Sequence, residues 1–278
     1  MSKKKSIGCA LFGIVILIVA QLLAGLIGSV FVLCGVPNWI CNILAGILYL
    51  VFAIFGVVMI LGKAMHLDMD ELGIKRFSLR FRWILTGLLL PLGVIAVYLL
   101  MIPGEYVSSG LNNRQMLDTL SSGIFFTGIA AGFVEEIVFR GVIFRSLEKS
   151  FGKNIGIFVP SLLFGIVHIL GMDITPFGCL LVIIAGTAVG VMFSMITIES
   201  GSVWDNGLVH ALWNILIIGG GIAIAGAPDD SSIVSYVLKS DSFAITGGEF
   251  GIESSAVALA GYVIVTIVAW YMIRKRAK

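Results

Sequence analysis

The sequence predicts an all-α, polytopic integral membrane protein with about eight transmembrane helices. Hydrophobic residues make up 59% of the 278 residues, charged residues only 12%, and the mean hydropathy is +1.08. Soluble domains do not have this balance. The apolar residues also lie in runs of roughly 20, which is the length that a helix needs to cross a bilayer. We therefore expect residues 1–278 to form a single membrane-embedded helical domain.

Turn-forming or charged residues separate the apolar runs into eight predicted spans. The spans lie at about 7–34, 40–62, 82–102, 122–146, 155–172, 177–198, 204–226 and 253–273. The segment 35–38 separates the first pair, and the segment 171–176 separates the fifth span from the sixth. No internal repeat is evident in the sequence, which disfavours transporter folds built from inverted repeats.

The basic residues predict how the chain is oriented in the membrane. Alternate segments between the spans carry 15 of the 18 Lys and Arg residues. These are Lys3, Lys4, Lys5, Lys63, Lys75, Arg76, Arg80, Arg82, Arg145, Lys149, Lys153, Arg274, Lys275, Arg276 and Lys278. Because cytoplasmic loops carry an excess of basic residues, both termini are expected in the cytoplasm and the acidic 227–252 loop outside. The lysine-rich, short-looped chain favours a bacterial cell membrane, and no basic patch indicates nucleic-acid binding.

Two glutamates and an arginine lie inside the fourth predicted span. Glu135, Glu136 and Arg140 each cost roughly 2.5–3.5 kcal/mol near a helix centre. This span must therefore face protein or a wet cavity, and the small residues of 128–132 allow a neighbouring helix to approach it closely. Glu136 and Arg140 have the i,i+4 spacing of an intrahelical ion pair. Glu135 lies about 100° away around the helix and is free to act as a general base; the alternative is a purely structural ion network.

Two further predicted spans carry polar residues at the same helical spacing. Phe164 and His168 share one helix face, and His210 and Asn214 share another. Helical rise from the predicted inner boundaries puts Glu135, His168, His210 and Asn214 about 9–20 Å deep. We therefore expect all four side chains to line one cavity in the inner half of the bilayer.

These residue types suit the hydrolysis of a peptide bond. Glu135 and His168 can together hold and deprotonate a water molecule, while His210 and Asn214 donate hydrogen bonds to the oxyanion. No serine or cysteine lies in a nucleophile context, so water is favoured as the nucleophile and no cofactor is expected. Glu135, His168 and His210 are also possible zinc ligands, and the residue types alone leave this alternative open.

The three motifs resemble those of a known family. Residues 135–140 (EEIVFR) match EExxxR, residues 164–168 match FxxxH, and residues 210–214 match HxxxN. These are motifs of the CAAX-protease and bacteriocin-processing family (CPBP or Abi), which consists of intramembrane glutamate endopeptidases. The resemblance implies a metal-independent enzyme with its catalytic core at about 122–226 and a cavity reached from the cytoplasm. It implies catalytic roles for Glu135, His168, His210 and Asn214, and supporting roles for Glu136, Arg140 and Phe164.

The expected partners are the lipid bilayer and a membrane-associated peptide or protein substrate. A CaaX protein is a less favoured substrate than another membrane peptide, because many bacterial relatives belong to hosts that lack prenylation. Two other functions remain possible on the sequence. One is a proton-coupled transporter that uses the acids and histidines as a relay, and the other is a non-catalytic immunity protein that binds a peptide. The sequence gives no indication of the oligomeric state.

Overall fold

The computed structural model describes residues 1–64 and 66–276, and most of these residues are helical. In this part of the chain, six helices are long and apolar enough to cross a membrane. They are Lys3–Leu33, Asn38–Lys63, Phe81–Met101, Asn113–Phe151, Pro176–Ser200 and Ala256–Arg276. Two shorter apolar helices span Lys153–Val167 and Val203–Ile218. The predicted all-α membrane class is confirmed, and each predicted span corresponds to one of these eight helices.

Several of these helices change between α-helical and wider π-helical winding along their length. The α-helices are α1 (Lys3–Leu33), α2 (Asn38–Gly56), α3 (Phe81–Met101), α4 (Asn113–Ser121), α5 (Gly132–Glu136), α6 (Phe144–Phe151), α7 (Lys153–Val167), α8 (Pro176–Ser200), α9 (Val203–Trp213), α10 (Phe243–Thr246) and α11 (Ala256–Arg276). The π-helical segments are π1 (Val57–Ala64), π2 (Ser122–Ala131), π3 (Ile137–Ile143) and π4 (Asn214–Ile218). The fourth span is thus the continuous series from α4 to α6.

The predicted bounds of the fifth and seventh spans are wrong at their C-terminal ends. The fifth helix, predicted to reach residue 172, ends at Val167, and His168 is its C-cap. The seventh, predicted to reach residue 226, ends at Ile218. Three consecutive glycines follow it, and Gly220 has φ +77°, a conformation that L side chains rarely adopt. The apolar residues beyond these glycines form a strand instead of a further helical turn.

A small sheet forms between segments that the sequence analysis treats as loops or as the end of a helix. Its strands are β1 (Gly104–Ser108), β2 (Ile222–Ala225) and β3 (Val234–Leu238), in the order β1-β3-β2. β1 pairs with β3 in antiparallel orientation, and β2 pairs with β3 in parallel orientation. β2 therefore has a neighbouring strand on one side only.

The helices define two ends of the molecule, and both chain termini lie at the same one. At this terminal end, Ser150 donates a hydrogen bond to the Met1 carbonyl, and Arg276 donates to the Glu199 carbonyl at the end of α8. The sheet lies at the opposite end, where Thr119 of α4 donates to the Ser231 carbonyl. The cytoplasmic location of the terminal end stays a prediction from the basic residues.

The buried carboxylate of Glu199 joins three helices at the terminal end. Arg82 Nη2 lies 2.9 Å and Arg276 Nη2 lies 2.8 Å from Glu199 Oε1, and the Trp83 indole N–H donates to Oε2 at 3.0 Å. The Glu199 side chain is fully buried, whereas the two arginines are partly exposed. Since a buried carboxylate is costly without partners, these contacts fix the ends of α3, α8 and α11 relative to one another.

Replacing Glu199 with glutamine should lower the thermal unfolding midpoint in detergent by a few degrees. The amide keeps the size of the side chain but loses the charge that both guanidinium groups face. Glu105→Gln is the matched control, because its pairing with Lys239 is mostly exposed and contributes little. Equal midpoints for the two variants would contradict the assigned role of Glu199.

Candidate active site

The structure brings the predicted site residues around one cavity of about 300 Å³. Its walls include Glu135 of α5, His168 after α7, His210 of α9 and Asn214 of π4. Phe164, which shares the FxxxH motif, also lines it. The predicted convergence of these groups on a single cavity is confirmed; their chemical roles are a separate question.

The second glutamate, Glu136, is the centre of a buried polar network behind the cavity. Arg140 Nη1 donates to Glu136 Oε1 at 2.9 Å, which confirms the predicted i,i+4 pair, and both side chains are fully buried. The network also extends across to α9: His210 Nδ1 lies 2.9 Å from the same oxygen, and the Asn206 amide donates to Oε2. Since a carboxylate only accepts hydrogen bonds, His210 Nδ1 carries a proton.

Small residues bring α5 and α9 close enough for this network to form. A side-chain carbon added at Gly132 would lie 2.7 Å from the backbone nitrogen of Ala211, and one at Gly207 would lie 2.5 Å from the Phe133 ring. Both approaches are closer than real carbon atoms allow. The prediction that small residues before Glu135 admit a neighbouring helix is confirmed, and the structure identifies α9 as that helix.

Glu135 reaches the cavity with one oxygen that has no hydrogen-bond partner. Its Oε2 atom is buried, lies 3.9 Å from His210 Nε2, and forms no hydrogen bond within residues 1–64 and 66–276. The side chain as a whole is only 19% exposed. Most buried polar atoms in native proteins have a partner, so an unsatisfied carboxylate oxygen at a cavity wall indicates a group that meets a ligand.

His168 is held by its own helix with one ring nitrogen left for the cavity. Its Nδ1 atom lies 2.7 Å from the Phe164 carbonyl. A carbonyl accepts hydrogen bonds, so Nδ1 carries a proton and Nε2 is the ring nitrogen left for a ligand. The Phe164 ring packs on His168 at 4.4 Å between centroids, which further fixes the imidazole. No hydrogen-bond contact joins His168 to Glu135 in the described part of the chain.

The Asn214 carboxamide is oriented by the π-helical segment of the fourth span. Asn214 Nδ2 donates at 2.9 Å to the carbonyl of Thr127, which lies in π2. This contact uses one of the two N–H groups and leaves the other for a ligand. Asn214 and Thr127 both line the cavity.

Buried aromatic rings pack around the buried charges and line the cavity. The Arg140 guanidinium lies 4.6 Å from the centroid of the Phe164 ring and 5.1 Å from that of Phe193. Phe193 also stacks on His210 at 4.7 Å. The two cation–π contacts stabilise the positive charge of the buried guanidinium.

The sequence analysis missed several polar or aromatic residues of the site, and four of them bear on its chemistry. They are Gln21, Phe193, Asn206 and Glu253. Asn206 lies one helical turn before His210, and Gln21 is an amide within an otherwise apolar run, so spacing and composition could have indicated both. Glu253 could not be found in this way, because it comes from a short helical turn before α11 and far along the chain from the motifs.

Glu253 brings a further carboxylate to the cavity from the sheet end. The Trp213 indole N–H donates to Glu253 Oε2 at 3.1 Å, and the Tyr262 hydroxyl donates to its backbone carbonyl at 3.1 Å. Burial raises the pKa of this carboxyl above its ordinary value, while the Trp213 hydrogen bond acts in the opposite direction.

The alternative zinc site is not preformed in this arrangement. Within residues 1–64 and 66–276, no three His, Cys, Asp or Glu side chains lie close enough together to hold a metal ion. Glu135, His168 and His210 line the same cavity but do not converge on a common ligand position.

A comparison with protein-family models identifies the family of the segment that carries the site. Residues 118–216 match the Rce1-like family, described as type II CAAX prenyl endopeptidase Rce1-like. All three motifs lie within this segment, and the family predicted from them is confirmed. Together with the six long apolar helices, the match identifies an integral membrane protein with a protease-family segment. No curated protein and no solved structure matches the chain.

Arg140→Ala should destabilise the protein by about 3–5 kcal/mol, because it leaves the Glu136 carboxylate buried without its cation. Glu135→Ala should cost far less, since Glu135 Oε2 has no hydrogen bond to lose among the described residues and approaches His210 Nε2 only to 3.9 Å. Thermal or denaturant unfolding in detergent measures both changes. A greater loss for the Glu135 variant would contradict this division between a structural pair and a free acid.

Glu253→Gln should make stability less dependent on pH. Because the pKa of Glu253 is raised in the folded state, its contribution to stability is complete below the ordinary value of 4.5 and is lost as the pH rises through the folded value. The glutamine variant lacks this loss. Its unfolding midpoint should therefore rise relative to that of the unsubstituted protein from acidic to neutral pH, and parallel curves would contradict the assignment.

Proposed function

We propose that the protein is an intramembrane endopeptidase that hydrolyses a peptide bond of a membrane-associated peptide or protein in a bacterial cell membrane. Its catalytic residues are Glu135, His168, His210 and Asn214, within a catalytic core at 122–226. The observation that carries the proposal is the unsatisfied Glu135 oxygen at a cavity that His168, His210 and Asn214 also line. The match of residues 118–216 to a protease family supports the same reaction class.

In this mechanism, water is held between Glu135 and His168. The His168 Nε2 lone pair accepts a hydrogen bond from the water, and the Glu135 carboxylate takes a proton as the water oxygen bonds to the peptide carbonyl carbon. Both side chains line the same cavity, and no hydrogen bond joins them in the described part of the chain, so both are available to a water molecule. When the carbon–nitrogen bond breaks, Glu135 returns the proton to the departing amine.

The oxyanion that forms on the carbonyl is stabilised by His210 and Asn214, which line the same cavity. Glu136 Oε1 accepts a hydrogen bond from His210 Nδ1 at 2.9 Å, which fixes the ring with Nε2 toward Glu135 and the cavity. In the proposed mechanism, Nε2 carries a proton when it donates to the oxyanion. The remaining Asn214 N–H group is the second donor. Glu136 and Arg140 act through His210, and Phe164 acts by positioning His168.

Substituting glutamine for Glu135 should lower peptide cleavage by at least about 10²-fold, since the amide cannot accept the water proton. The measurement is mass spectrometry of membrane peptides incubated with the purified protein, with and without a chelator. Glu71→Gln is the control, because Glu71 is an exposed acid at the terminal end. Unfolding midpoints of all variants establish that folding is retained.

The same experiment separates the proposal from its two rivals. A proton-coupled transporter predicts solute uptake into sealed vesicles and no peptide product, and the Rce1-like match does not favour it. A peptide-binding immunity protein predicts that the Glu135 variant keeps its biological effect. Cleavage that persists in the Glu135 variant, or that disappears with chelator alone, would overturn the metal-independent mechanism proposed for Glu135.

A further inference from the structure

A second cavity of about 300 Å³ adjoins the candidate active site at the sheet end. Ile218, Phe250 and Glu253 line both cavities and form the partition between them. The helix that carries His210 and Asn214 ends at Ile218, and β2 begins four residues later at Ile222. The second cavity is therefore continuous, along the chain and in space, with the wall proposed to bind the oxyanion.

The edge of β2 that faces away from β3 forms one side of this second cavity. Each residue of Ile222–Ala225 lines it. Side chains of a strand alternate between the two faces of a sheet, so a cavity on one face would contact every second residue. Contact with four consecutive residues indicates that the cavity lies along the strand edge, on the side opposite β3. A free strand edge binds an extended peptide through backbone hydrogen bonds.

The charges around the second cavity favour a basic ligand. Asp229, Glu249 and Glu253 line it, and no Lys, Arg or His side chain does so in the described part of the chain. Glu249 also fixes the cavity wall, because its carboxylate accepts the Thr175 backbone N–H at 2.8 Å. Asp229 is similarly held, since its Oδ1 accepts the Ser231 backbone N–H at 2.9 Å.

We infer that β2 binds the substrate as an added strand and that the bound segment carries lysine or arginine beside the bond to be cut. This inference rests on the proposed endopeptidase function and defines its substrate class as cationic membrane peptides. Strand addition holds the peptide backbone extended, which presents the scissile carbonyl to the water and oxyanion groups in one register. The bound segment lies at the sheet end of the molecule, beside the candidate active site.

Binding to the Glu135→Gln variant tests the inference without requiring cleavage. The probes are synthetic peptides with one apolar helix-forming segment followed by a short extended tail, labelled for fluorescence anisotropy in detergent. Tails with Lys-Lys, Ser-Ser and Glu-Glu are compared. We expect affinity to fall in that order. N-methylation of successive tail residues should weaken binding at every second position, because alternate N–H groups of an added strand face its partner.

Substitutions of two acidic residues that line the second cavity test whether their charges contribute to peptide binding. Asp229→Asn and Glu249→Gln keep their hydrogen-bond acceptors and should each weaken binding of the Lys-Lys peptide by roughly two- to fivefold. Asp241→Asn is the matched control, since Asp241 is an exposed acid that does not line the cavity. The Ser-Ser peptide should be nearly unaffected by all three substitutions.

The outcomes separate this inference from the proposed function. Equal binding of the three tails, or N-methyl effects without alternation, would overturn the inference even if the peptides are cut. Binding with the expected pattern, but no cleavage by the protein with Glu135 intact, would instead count against the endopeptidase proposal. The N-methyl series uses no wall variant, so a misfolded Asp229 or Glu249 variant does not prevent the test.

Discussion

The buried carboxylate of Glu136 is the interaction on which the site depends. It accepts hydrogen bonds from Arg140 in its own helix and from Asn206 and His210 in α9. An ionised group in this position is tolerated only when its partners are all present. The buried charge therefore requires the partners that α9 supplies. Its hydrogen bonds in turn fix how α5 and α9 are rotated about their axes relative to each other. Glu135, the residue immediately before it, then faces the cavity because successive residues of a helix point about 100° apart.

Interactions within one helix could be predicted from the sequence, because helical spacing alone determines them. The Glu136–Arg140 pair and the Phe164–His168 contact both follow from i,i+4 positions. The depths of Glu135, His168, His210 and Asn214 in the fourth, fifth and seventh predicted spans also predicted a shared cavity. Contacts between helices could not be derived in this way, since they depend on rotation and crossing geometry that one sequence does not reveal. The Glu136–His210 hydrogen bond is the clearest example. The sheet was missed because its three short strands pair across distant segments.

The π-helical segments occur where the proposed chemistry needs a particular side-chain direction. α5, which carries both glutamates, lies between π2 and π3, and Asn214 is the first residue of π4. Wider winding changes the angular position of every later residue relative to an ordinary helix, and such segments are often found at functional sites. Here the Thr127 carbonyl in π2 meets the Asn214 amide in π4. A pattern analysis that assumes uniform α-helical winding cannot anticipate this contact.

The early end of α7 affects the surroundings of His168, the residue proposed to bind the hydrolytic water. With 15 residues, this helix is about 22 Å long, whereas the hydrocarbon layer is about 30 Å thick. The chain from His168 to Thr175 continues without regular helix and is largely exposed. Irregular backbone at membrane depth is compatible only with a hydrated surrounding or a protein cover. The shortened helix therefore places the imidazole of His168 at a depth where the following backbone needs either water or a cover of neighbouring protein.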